Sequence, residues 1–117
     1  MDNNIAIDFA RLTPAQSALL ARIRVSLATN SLAVERAITV LYANQTTDER
    51  AVSATKHQNA KGFNSADASR LSYYARWVGS GRHLTGHHLD RARATVGKYW
   101  RQLLRAAVAK AQVAQGA

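Results

Sequence analysis

Cysteine is absent from this 117-residue chain, which removes disulfides, thiolate nucleophiles and cysteine-based zinc sites together. No run of about eighteen apolar residues occurs, so no membrane span is available. The opening Met1-Asp2-Asn3-Asn4 is acidic and polar where a secretory signal is basic and then apolar, and a soluble, cytoplasmic protein is expected. Paired carboxylates and Ser/His/Asp sets are missing too, so neither an enzyme nor a bound cofactor is expected. His83 and His87 stand four apart, but Gly86 and a helix start separate them and no Glu or Cys completes a metal set.

Acidic residues are scarce in one half only. From Arg50 onward there are twelve Lys/Arg against Asp67 and Asp90, whereas residues 1–49 hold four Arg and five acids. A compact segment of that charge repels itself unless it meets a polyanion, which points to nucleic acid or a nucleoprotein complex. The 47% hydrophobic fraction indicates a folded chain rather than a basic disordered tail. Much of it is alanine, so helices should pack closely over small residues.

The periodicities predict an all-α single domain spanning 1–117, a bundle of four to five helices with a long C-terminal one. Thr13 as N-cap and the lone Pro14 in the first turn open a helix to about Ala28, with Leu12, Leu19, Leu20, Ile23 and Leu27 on one side. After the cap-forming Thr29-Asn30-Ser31, a second helix with Val34, Ala37, Ile38 and Leu41 inward runs to about Asn44, antiparallel to the first. Thr46-Thr47-Asp48-Glu49 reads as a capping box opening a short third helix to about His57. Asn64 caps the next, with Asp67 at N3, Phe63 as a staple and Ala68, Leu71, Ala75 and Val78 inward, and Gly79-Ser80-Gly81 stops it. Thr85 opens the last helix, whose seam is Leu89, Ala92, Val96, Trp100, Leu103, Ala107 and Ala114. Residues 1–12 are left as an arm, and the Ala/Gln-rich stretch 110–117 as a tail free to fray.

On the last helix, 100° per residue aligns Arg91, Lys98 and Arg105 over about 21 Å, with Arg101 beside them and only Asp90 near enough to neutralise the row. Such a row suits a phosphate backbone, and equally a solvated outer face. Arg70, Tyr73 and Trp77 form an i, i+3, i+7 cluster of the kind that stacks on unpaired bases, though Trp77 and Tyr74 would serve as well at the core edge, with Tyr73 the more exposed. Lys56, His57 and Lys61 sit in a polar, Gly-containing loop that could order over phosphates. Arg76 and Arg82 complete the candidate cations. Gly79-Ser80-Gly81-Arg82-His83 lacks the Gly-Lys-Ser/Thr ending of a nucleotide P-loop. The connection from Val78 to Thr85 is longer than the tight turn of a helix-turn-helix reader.

Thr55-Lys56-His57-Gln58-Asn59, Gly62-Phe63-Asn64-Ser65-Ala66-Asp67-Ala68, Gly81-Arg82-His83-Leu84-Thr85 and Lys98-Tyr99-Trp100-Arg101-Gln102-Leu103 together resemble a pattern of small proteins encoded by phages and mobile elements. The resemblance covers roughly residues 34–104 and implies no catalytic or binding residues. It implies one of two settings, handling of nucleic acid or inhibition of a host defence complex in the anti-CRISPR manner. The expectation is a non-enzymatic binder of nucleic acid through one basic face, weakly selective for sequence. The alternatives are a protein-binding inhibitor of a nucleoprotein complex and a homo-oligomer built on the alanine-rich tail.

Overall fold

The computed structural model describes residues 7–51 and 64–116. Among them α1 (Pro14–Thr29), α2 (Ser31–Ala51), α3 (Ser65–Gly79), α4 (Gly86–Val96) and α5 (Trp100–Gly116) follow in order, with a 3-10 turn at Gly97–Tyr99 joining the last two, and no strand occurs. The all-α architecture with a long C-terminal helical segment is therefore the observed one.

Local chemistry explains most boundaries. Thr13 accepts from the Gln16 amide at 3.1 Å while the Gln16 side chain accepts from the Thr13 amide at 3.0 Å, a reciprocal box with Pro14 just inside it. Asn30 alone separates α1 from α2. Its amide donates to the Ser26 carbonyl and its side chain accepts from the Leu32 amide at 2.9 Å, so one extended residue closes one helix and opens the next. Such a connection is shorter than an antiparallel hairpin of helices normally uses, and α1 rests more on α5 than on α2. Asn64 accepts from the Asp67 amide at 2.9 Å, as expected, while Phe63 lies outside the described residues. Gly81 and Gly86 have φ of +92° and +58°, a left-handed backbone in which glycine carries no penalty.

Three expectations are corrected. The capping box at Thr46 opens no new helix, because α2 continues through it to Ala51. No glycine or proline lies between Ser31 and Ala51, and poorly helical Thr and Asp each cost a propagating helix under about 0.7 kcal/mol. The continuation to His57 lies outside the described residues. The last helix is not uniform, since it tightens at Gly97, a weak helix former. The tail does not fray at Lys110 but stays helical to Gly116, and the buried seam ends earlier than Ala114, which is exposed.

The core is organised on α2. Val34, Ile38 and Leu41 are wholly buried at i, i+4 and i+7, and α1, α3, α4 and α5 all pack on this helix. Leu71, Tyr74 and Ala75 of α3, Ala92 and Val96 of α4 and Leu103 of α5 close round it. Leu84, from the α3–α4 connection, and Gln102 and Leu104 are buried as well, beyond the predicted seams. Each large aliphatic side chain hidden this way contributes about 1.5–3 kcal/mol. Ile38→Ala should accordingly lower the unfolding free energy by about 2–5 kcal/mol in urea denaturation followed by circular dichroism. Val25→Ala, at a 62% exposed position, should change it by under about 0.5 kcal/mol.

Candidate nucleic-acid interface

Two groups of aromatic rings carry four of the exposed arginines. The first lies at the end of α3. Tyr73 is 51% exposed, and its ring sits 6.2 Å from that of half-buried Trp77. The guanidinium over Trp77, at 4.5 Å, belongs to Arg82 from the following connection and not to Arg70 of the expected cluster. That connection is held from below by Glu35 of α2, which is 5% exposed. Its carboxylate accepts from the Leu84 amide at 2.8 Å and from His83 Nδ1 at 3.0 Å. Trp77 Nε1 then donates to the His83 carbonyl at 3.1 Å, which locks ring and loop together. Tyr74 belongs to the core, with its hydroxyl 3.0 Å from His88 Nδ1. Tyr73, Trp77, His83, Thr85 and His88 line a shallow cleft here.

The second group was not foreseen. Phe9, in the arm before α1, meets Trp100 edge-to-face at 5.7 Å. Arg101 lies 4.6 Å and Arg24 5.5 Å from the Trp100 ring, and Arg105 lies 5.3 Å from the Phe9 ring. Such distances are those of cation–π contacts. A turn follows Asp8 in the arm, where its carboxylate accepts from the Ala10 amide at 3.0 Å and its carbonyl from the Arg11 amide. The alternation Ile7-x-Phe9 was the available signal for a docked arm. Nothing local told that Trp100 would receive it.

The expected row of four free cations is also corrected. Lys98 Nζ is 2.9 Å from Asp67 Oδ2, which accepts from the Tyr99 hydroxyl at 2.6 Å as well. Tyr99 in turn accepts from the Asn64 amide at 2.9 Å. Burial alone would raise the Asp67 pKa, but the hydrogen bonds from Tyr99 and Lys98 and the charges of Lys98 and Arg70 outweigh it and hold it below 3.8. Burial and donation to Asp67 push Tyr99 up to about 12. Arg93 donates to the Leu27 carbonyl at 2.7 Å, a cation at the end of α1, and lies 3.6 Å from Asp90. Arg91, Arg101 and Arg105 are exposed with no ion pair among the described residues, and of the three only Arg91 has no ring contact there.

Arg93 and Lys98 are the only described Lys or Arg paired with a carboxylate. The described cations come from all five helices, Arg70 and Arg76 of α3 included, and Arg24, Arg101 and Arg105 meet around the Phe9–Trp100 pair. Lys56, His57 and Lys61 lie outside the described residues. No described helix is long and apolar enough to cross a membrane, and no described group of three His, Asp or Glu could hold a metal ion.

The Asp67–Tyr99 pair gives two pH signatures with opposite signs. A depressed carboxylate stabilises the fold above pH 3.8, and that contribution is lost as pH falls through its folded value. A raised phenol stabilises it below pH 10, and that contribution is lost between pH 10 and about 12. Tyr99→Phe should cost about 1–3 kcal/mol at neutral pH and flatten the alkaline loss, and Asp67→Asn should flatten the acid loss, in thermal melts against pH. Set against family models, curated proteins and solved structures, the chain matches none of them.

Proposed function

We propose that this chain is a non-enzymatic nucleic-acid-binding protein that holds phosphates with ring-mounted arginines and prefers unpaired segments. The observation that carries this reading is the Phe9–Trp100 pair with Arg24, Arg101 and Arg105 around it and no carboxylate on any of the three among the described residues. A guanidinium that lies on a ring uses its face and keeps its planar fork of N–H donors for another acceptor. The ring also restricts the side chain beforehand, so less freedom is lost when a phosphate arrives. Tyr73 and Trp77, with Arg82 fixed beside them by the Glu35-anchored loop, add a ring face on which a base can stack. A duplex hides its base faces, whereas a single strand can use both ring groups.

Phosphate contacts give affinity without reading bases, so sequence preference is weak and salt dependence steep. An accessory role beside phage or mobile-element nucleic acid, which the resemblance over roughly residues 34–104 implies, suits such a protein.

Fluorescence anisotropy with mixed-sequence single and double strands over about 50–200 mM salt tests this. Arg24→Ala/Arg101→Ala/Arg105→Ala should weaken all sequences alike and reduce the slope of log K against log salt by about 2 for single strands. Tyr73→Ala should cost about 1–3 kcal/mol with single strands and little with duplex. Absence of binding by the parent chain at the lowest salt refutes the reading.

A further inference from the structure

A groove runs between α1, α2 and α5 on the flank of α5 opposite Arg101 and Arg105. Its walls are aliphatic, with Leu19 and Ile23 from α1, Ala33 and Val40 from α2, and Ala106 and Ala107 from α5, all half-buried. Ser26 is the single uncharged polar residue in the lining. A small molecule is oriented in its site by several convergent polar groups, whereas the floor of this groove offers Ser26 alone and its cations stand at the rim. It favours an occupant that brings an apolar stripe of its own. The alanines on α2 and α5 let the backbone of an added helix come close.

The rim narrows the chemistry. Arg22, Arg36 and Lys110, one from each helix, stand exposed at the edges, and none has a carboxylate partner among the described residues. A basic helix is repelled there. A nucleic-acid strand would set phosphates over aliphatic carbon and leave the floor unmatched. A second copy of this chain offers few acids, since the exposed carboxylates among the side chains that the structure describes are Asp8 and Asp90, against cations on every helix.

The geometry points to an amphipathic helix of a partner protein as the occupant, with an aliphatic stripe at i, i+3, i+4 and i+7 flanked by Glu or Asp. This surface is separate from the ring-mounted arginines and does not depend on nucleic-acid binding.

The probe is a labelled peptide of about 18 residues, five helical turns, with leucines on that stripe and glutamates beside it, compared with the same peptide carrying lysines instead. Anisotropy with the full chain should show the glutamate peptide bound at least about tenfold more tightly, a difference of about 1.4 kcal/mol. Arg22→Glu/Arg36→Glu/Lys110→Glu should invert the preference, and Ala106→Leu, which fills the floor, should weaken both peptides. Arg24→Ala/Arg101→Ala/Arg105→Ala should leave peptide affinity within about twofold while it lowers oligonucleotide affinity, so the two readings fail independently. Equal affinities, no binding of either peptide, or a preference unmoved by rim reversal overturns the inference. So does a dimer in light scattering that the rim reversal abolishes, which assigns the groove to a second copy.

Discussion

Exclusion of water from one stripe of α2 is the constraint on which the molecule depends. Val34, Ile38 and Leu41 have no exposed surface, and every other helix packs on α2. The same helix carries Glu35, one residue past Val34, into the interior beneath the α3–α4 connection. A buried carboxylate is costly unless it is hydrogen-bonded, so the chain above it must present donors. The Leu84 amide and His83 do so. Packing of α2 thereby dictates the loop that sets Arg82 on Trp77, and a surface feature follows from a core one.

The two buried carboxylates serve the architecture and lie on none of the ring-mounted arginines. Glu35 secures the loop, and Asp67 ties the start of α3 to the junction of α4 and α5 through Tyr99 and Lys98. Arginines in contact with aromatic rings are the alternative, because a ring face attracts a guanidinium without cancelling its charge. The two buried carboxylates thus work inward, while the ring-mounted arginines keep their donors outward.

The helices and their caps were legible because they are written locally. Thr13, Asn30 and Asn64 announce helix starts within three residues, and the α2 stripe is visible as a period. The Thr46 box misled because a capping signature states what a start would look like, not that the helix in progress has ended. The candidate site was less legible. Tyr73 could be read as exposed from its place beside the Leu71–Ala75 stripe, but the Arg82 contact with Trp77 depends on where a loop folds back. The Phe9–Trp100 pair joins opposite ends of the chain, and no helical period encodes it. Lys98 looked free because Asp67 is distant in sequence, although the fold brings it within 2.9 Å.

The 3-10 turn at Gly97–Tyr99 connects these outcomes. A 3-10 residue advances about 120° and an α residue about 100°, so three of them turn α5 by about 60° relative to an uninterrupted helix. Tyr99 lies inside that turn and delivers its hydroxyl to Asp67 on α3, while the next residue, Trp100, faces Phe9 on the other side. Consecutive side chains thus bridge two separate neighbours. Without the added rotation, α5 could keep its seam on α2 or Ala92 and Val96 of α4 could keep theirs, but Trp100, Arg101 and Arg105 would be aimed away from Phe9 and Arg24. Gly97, a poor helix former, has nothing within 4 Å of where a Cβ would stand, so no close packing on its side chain position holds the helix to α geometry there.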